Sequence, residues 1–375
     1  MIQKKNLLII LLLVYVGLVS TVDLYSHLGH GASHVVQTAK QACIGLVSRI
    51  GLNRHAAYLT SSIVHAAKQA PVSAPYFPPG SVWTQDVTHA PLDPQSSTII
   101  SWLADQGGWG GYGKMQVDWN IRVVEAKPDT PKVPFQSGPG FFTEDSDGVT
   151  LVPLPEGGGM EGQRDYHCNN HANDCHFIVA DRGNGKLYEA WGATYTGTAI
   201  TAKFIGVWDL HRVYPPYGRG DNCTSADAAG FPIAPLLFNA DELAAGSINH
   251  AIRFILPGQR TRAHVFVHPA THAGAPSGPD TAPPMGAHFR LKASFDMSQL
   301  TPAAQVVARA MQKYGMFLAD GGNIALTAQS DKDTVTKYAD IGFDTHSLWP
   351  IQVSDFEVLE LGKPLPVSRN CVLRR

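Results

Sequence analysis

The sequence predicts a mainly β fold, a β-sandwich or jelly roll with a few short helices. Two observations carry this. From Ser81 onward, short β-rich runs alternate with clusters of Gly, Pro, Asn and Asp. Helical stretches are few, and no internal repeat appears at propeller or solenoid periods, which leaves sandwich architectures. With 36 Gly and 26 Pro in 375 residues, the chain is turn-rich but lacks the composition of a disordered tract.

The amino-terminal residues read differently. Lys4 and Lys5 precede an uncharged stretch over 6–22 that Asp23 ends. A basic start followed by a short apolar run is the pattern of a secretory signal, and its length also suits an uncleaved anchor. Residues 23–70 carry a weak helical stripe (Val35, Val36, Ala39, Cys43, Val47, Ile50), the pattern of a helical stalk or pro-region. The Pro-rich run at 71–80 reads as a linker. The β domain is expected over 81–375, secreted, periplasmic or at the cell surface, with the membrane touched only through the first segment.

Within that domain, strands are expected at 118–124, 175–180, 202–208, 251–255, 264–268 and 288–295. Asn184-Gly185 signals a hairpin between 177–180 and 187–190. Helices are expected at 97–104, 241–245 and 301–314. The last has Thr301 as cap, Pro302 at its first position and Gly315 at its end. Residues 316–319 then return as a strand.

Charge and motifs exclude several functions. A net charge of −2, from 29 basic and 31 acidic residues, offers no excess to neutralise a phosphate backbone, so no nucleic-acid partner is expected. The G-x-S-x-G, H-E-x-x-H and P-loop motifs are absent, and no dinucleotide fingerprint follows a strand. The reading therefore invokes no cofactor.

The chemically densest stretch runs from Glu161 to His176. In an exported chain its two cysteines are expected to pair, Cys168 with Cys175; the pairing of Cys43, Cys223 and Cys371 stays open, a Cys223–Cys371 bridge being the option that would tie the carboxyl end to a central loop. A zinc site from His167, Cys168, His171, Cys175 and His176 is the competing reading, but its spacing matches no finger pattern.

Several motifs resemble those of a group of exported bacterial proteins of unassigned function. They are Trp83-Thr84-Gln85-Asp86, Glu161-Gly162, Asp174-Cys175-His176 leading to Asp181, and Leu187-Tyr188-Glu189. Thr224–Ile233, His250–Phe254, Pro283–Ser294 and Lys313–Asp320 follow. The resemblance spans roughly residues 81–360, makes 163–173 an insertion, and implies no particular reaction. Where the group reads Asn-Gly-Ser followed by a Trp-Tyr segment, this chain has Gly321-Gly322-Asn323-Ile324.

Polar residues at predicted strand ends are the remaining carriers of chemistry. Asp174, His176, His250 and Arg290 are expected to line one cleft, with His176 as base and Arg290 holding a hydroxylated or acidic sugar. Trp109, Tyr112, Glu189 and Lys292 are expected to bind substrate, the two aromatics displayed on a glycine-rich loop at 107–113. The expected partner is a polysaccharide or other extracellular glycan. A glycoside hydrolase or lyase is one expectation; a non-catalytic carbohydrate-binding or cell-envelope structural protein is the alternative.

Overall fold

A computed structural model describes residues 75–170 and 172–374 of the protein. The expected signal or anchor and the stalk lie outside the described residues. What is described is mainly β with a few short helices.

The strands are β1 (Val117–Ile121), β2 (Val124–Glu125), β3 (Lys132–Ser137), β4 (Leu151–Pro153), β5 (Phe177–Asp181), β6 (Lys186–Trp191), β7 (Thr194–Tyr195) and β8 (Ile200–Ala202). They continue as β9 (Phe204–Asp209), β10 (Ile252–Leu256), β11 (Val265–Phe266), β12 (His288–Leu291), β13 (Met316–Gly321), β14 (Leu326–Gln329), β15 (Phe356–Val358) and β16 (Leu365–Pro366). Among the described residues three α-helices accompany them, α1 (Ser96–Asp105), α2 (Ala240–Ala245) and α3 (Pro302–Lys313). The expected elements recur within a few residues, except that β12 stops at Leu291.

Six strands form the largest sheet, in the order β1-β14-β10-β13-β12-β15. A four-stranded sheet runs β2-β5-β6-β9, another β4-β3-β8-β7, and β11 pairs with β16. The pairs β1–β14, β10–β13, β2–β5 and β3–β8 are parallel. A jelly roll is antiparallel throughout, so the mixed pairing departs from that expectation.

Alternation along the strands of the β2-β5-β6-β9 sheet sends side chains into two cores. Ile178, Ala180, Leu187 and Trp208 join Ile252, Phe254, Phe289 and Leu318 of the six-stranded sheet. Phe177, Val179, Ala190 and Ile205 point the other way, to Val152, Ile200 and Ala202. Glu189 lies on the first of these faces and is fully buried there.

The β5–β6 connection is not the two-residue turn that Asn184-Gly185 suggests. Arg182–Asn184 form a 3₁₀ turn capped by the Asp181 carboxylate, and only Gly185 is left-handed, at φ 62°. A mirror-image turn would need positive φ at both residues; the Asp181 carboxylate instead accepts the Asn184 N–H. The end of the linker region is also part of the domain. Phe77 is buried, its ring edge-on to Trp208 at 6.3 Å and Tyr214 at 5.6 Å.

Candidate functional site

The site grows from β5. His176 immediately precedes that strand, and its imidazole is 11% exposed. Nδ1 lies 2.6 Å from Glu161 Oε2, and Nε2 lies 3.0 Å from the Ala226 carbonyl oxygen. Both nitrogens face acceptors, so both carry protons and the ring is a cation. Burial opposes that charge, but the Glu161 carboxylate and the Ala226 carbonyl outweigh it and raise the imidazole pKa to about 9. A ring held this way donates twice and has no lone pair to accept a proton. The geometry thus gives His176 a different role from the expected base.

Glu161 is fixed by backbone pairing on both sides. Its N–H donates to the His176 carbonyl at 3.1 Å, and the Gly162 N–H donates to the Asn120 carbonyl at 3.0 Å, which ties the loop to the end of β1. Burial works to raise the Glu161 carboxyl, but the His176 charge, their hydrogen bond and Arg253 hold it below its ordinary value. Asp118 of β1 moves the other way, raised by burial with the Glu161 charge adding to it.

Arg253 of β10 forms the second half of the cluster. Its Nε donates to Asp227 Oδ2 at 3.0 Å, its Nη1 donates to the Thr327 hydroxyl, and Nη2 lies 3.5 Å from Asp320 Oδ2. Arg253 and Asp227 are buried, whereas the Asp320 side chain is 34% exposed at the end of β13. Burial pushes the Asp227 carboxyl up to about 7 against the pull of Arg253. Burial likewise raises Asp320, although Arg253 and the Gly321 N–H, 2.7 Å from Oδ1, pull it down. Asp227 Oδ1 is buried without a hydrogen-bond partner.

The two halves act on one another. The charge of Arg253 reaches Glu161, and that of His176 reaches Asp227 and Asp320. Asp174 acts on Asp320, and its carboxylate accepts the Trp191 indole N–H. Trp191 is half-buried, 6.0 Å from the exposed Phe142 ring, with the Lys203 ammonium 4.8 Å from its centre.

Not all the expected site residues meet here. Asp174 and His176 do. Glu189 lies beneath the cluster but is a scaffold: its two oxygens accept the Trp208 indole N–H and the backbone N–H groups of Ile233 and Ala234. Burial raises its carboxyl to about 7 against those three donors. His250 bonds to Glu242 at 3.2 Å and to the Ala251 carbonyl at 2.7 Å, in a small cavity lined by Tyr76 and Trp83.

Arg290 and Lys292 are elsewhere. Pairing of His288 with Phe317 and Phe289 with Met316 sets Arg290 level with Gly315. That is five residues from Asp320, roughly 16 Å along the strand at ~3.3 Å per residue. Arg290 is spent on Glu357 and the carbonyls of Val87, Thr88 and Ala90. Lys292 donates to the Ser354 carbonyl at 2.8 Å. His176 and Arg290 therefore do not share a cleft: the sheet register separates them, and Arg290 is engaged as a clasp.

The glycine-rich loop displays only one of its aromatics. Trp109 is fully buried, edge-on to Phe356 at 5.2 Å, with its indole N–H on the Ile351 carbonyl. Gly110 has φ 40° and lies so close to the Asn323 carbonyl that a Cβ would collide with it. Tyr112 is 77% exposed.

The expected disulfide is present, and a second one joins two of the cysteines whose pairing the sequence leaves open. Cys168 and Cys175 are bonded with Cα atoms 5.8 Å apart, and Cys223 and Cys371 with Cα atoms 4.5 Å apart. The zinc reading loses both sulfurs to the first bridge, and His171 is outside the described residues. Among the described residues, the one group of possible metal ligands is Asp145 with Cys223 and Cys371, whose sulfurs are bonded to each other. Two disulfides fit an oxidising compartment. No helix among the described residues is long and apolar enough to cross a membrane.

The sequence marks neither Arg253 nor Asp320 as a site residue, and it places Glu161 and Asp227 only inside shared motifs. The signal lay in the motifs of the resemblance. Glu161-Gly162, Asp174–His176, Thr224–Ile233, His250–Phe254 and Lys313–Asp320 each send one side chain or more into this cluster. No family model, curated protein or solved structure matches the chain, so the geometry alone carries the functional reading.

Proposed function

We propose that the protein is an exported enzyme acting on polysaccharide, a glycoside hydrolase built on a sandwich of sheets, with Asp320 and Glu161 as its working carboxyls. The observation that carries the reading is the placement of two part-exposed carboxyls around a buried Arg253–His176 floor, their proton affinities pushed in opposite directions. Glycoside hydrolysis needs one carboxyl that keeps its proton and one that does not. Asp320, raised by burial, is the acid that protonates the leaving oxygen. Glu161, held ionised beside the His176 cation, is the base or nucleophile.

Hydrolysis is favoured over β-elimination because His176, the expected base for a lyase, has both ring nitrogens engaged. A non-catalytic glycan-binding role is the second reading, favoured by the Phe142 and Trp191 rings beside Asp174. A panel of polysaccharides separates these. Hydrolysis gives new reducing ends without ultraviolet absorbance, elimination gives an absorbing unsaturated product, and the binding role gives retention on a glycan without either product.

A further inference from the structure

Several arginines clasp backbone carbonyls and hold a carboxylate as well: Arg122 with Asp333, Arg219 with Asp147 and Arg290 with Glu357. Arg260 clasps in the same way without a counter-charge. Its Nη1 donates to the Gly108 and Gly110 carbonyls at 2.9 and 2.7 Å, and no carboxylate among the described residues pairs with it. The side chain is part-buried, and burial acts on its charge with nothing to offset it. A cation drawn out of water and left unpaired is held at a cost.

The unused part of the guanidinium has a definite shape. Among the described residues nothing accepts from Nε or Nη2, yet neither atom is enclosed, so both face solvent. Together they form one edge of the group, two parallel N–H bonds in one plane, which matches the two oxygens of a carboxylate.

The glycine-rich loop at 107–113 is fitted to this group and joins it to the site. A Cβ on Gly107 would lie 3.0 Å from Nη2, so a side chain there would crowd the guanidinium. The Gly111 N–H donates to the Asn323 carbonyl at 2.8 Å. Asn323 follows Asp320 by three residues, at most ~10 Å of chain. β10 and β13 are parallel, and the Gly322 N–H donates to the Leu256 carbonyl at 3.0 Å. The segment leading to Arg260 and the segment leaving Asp320 therefore emerge from the same end of the sheet. The same loop displays the exposed Tyr112 ring.

We infer that Arg260 is a substrate-binding residue whose open edge receives the carboxylate of a uronate, with Tyr112 stacking on that sugar. This rests on the reading of the protein as a glycan enzyme and names its substrate class, an acidic polysaccharide. The uronate at Arg260 is a neighbour of the sugar at Asp320, whose own surroundings are acidic. A neutral sugar offers hydroxyls to the two N–H groups but no charge to balance the cation.

Calorimetric titration of the full chain with tetramers of galacturonic, mannuronic and glucuronic acid, with cellotetraose and with sulfated cellotetraose tests the inference. At least one uronate is expected to bind on the order of tenfold tighter than cellotetraose, and the preference is expected to shrink as salt is added. Arg260→Gln keeps a donor for the loop carbonyls but no charge, and should lose the preference. Tyr112→Ala should weaken uronate binding by about threefold to tenfold with the melting temperature unchanged. Should Arg260→Gln melt below the wild type, the Tyr112→Ala result decides by itself. Binding of no uronate, cellotetraose or its sulfated form bound as tightly as the best uronate, or uronate affinity unmoved in either variant overturns the inference. Reducing ends are scored separately. Uronate-selective binding without cleavage of any glycan refutes the hydrolase reading and leaves Arg260 its ligand; cleavage of a neutral polysaccharide without uronate preference does the reverse.

Discussion

At the residue scale, Glu161 and His176 stabilise one another over a definite pH window. The folded pKa of His176, about 9, lies above its ordinary 6.5, so its contribution is complete below 6.5 and is lost as pH rises through 9. Removing the carboxylate with Glu161→Gln removes that contribution. The stability advantage of the wild type over the variant is therefore expected to shrink between pH 6.5 and above 9, by on the order of 3 kcal/mol at most. Urea denaturation at both ends of the window checks this; a constant difference would show that Glu161 does not raise the His176 pKa. Asp227 and Asp320 share Arg253 but differ in consequence. Asp227→Asn leaves a buried guanidinium without its main counter-charge, at a cost of about 3–5 kcal/mol. Asp320, one-third exposed and 3.5 Å away, is expected to cost little when changed to Asn. Thermal denaturation of the two variants should separate them clearly. In the sequence, Asp174 and His176 were legible because they flank a cysteine before a strand. Arg253 was not, because an Arg inside an apolar run reads as a solvent-facing strand position, and nothing local tells that its partners lie 26 and 67 positions away.

Elements were far more legible than their pairing. α3 follows from Thr301 accepting the Ala304 N–H, Pro302 at its first position and an apolar stripe through Val307 and Met311. The strands from β5 onward follow from β-branched and aromatic runs between turn residues. Parallel neighbours did not follow, since alternation gives a strand two faces without saying which strand lies beside it. That is why His176 and Arg290 were drawn to one cleft although the register of β12 on β13 parts them. The Cys168–Cys175 bridge is legible from compartment and spacing, the partner of Cys223 is not because Cys43 and Cys371 both compete for it, and the two bridges differ in what they hold. Cys168–Cys175 closes a short loop of sequence separation 7 beside His176, whereas Cys223–Cys371 spans a separation of 148 and ties the carboxyl-terminal segment to the 218–224 loop. Loop entropy puts their contributions at about 2–3 and about 5 kcal/mol respectively. Urea denaturation of the variants Cys168→Ala/Cys175→Ala and Cys223→Ala/Cys371→Ala is expected to show the larger loss for the second. The opposite order would place the structural load on the short loop.

On the scale of the whole molecule, the stacking of sheets explains how motifs distant in sequence meet. The β2-β5-β6-β9 sheet and the six-stranded sheet share one core, and the residue leading into β5 is His176 while β10 and β13 supply Arg253 and Asp320. That core extends to Phe77, which the sequence assigned to a linker because prolines surround it. Phe77→Ala is expected to cost about 3–5 kcal/mol through the cavity left against Trp208 and Tyr214, and a chain starting at Ser81 should melt lower than one starting at Pro75. Equal melting temperatures would return the segment to the role of a tether. The central claim, that Asp320 and Glu161 are the working carboxyls of a glycan hydrolase, is tested most directly by reducing-end release from the polysaccharide the panel identifies. Asp320→Asn and Glu161→Gln should each lower the rate by about 10²-fold or more, with the Asp320→Asn melting temperature unchanged. Full activity in either variant, or no reducing ends from any glycan with the wild-type protein, would contradict it.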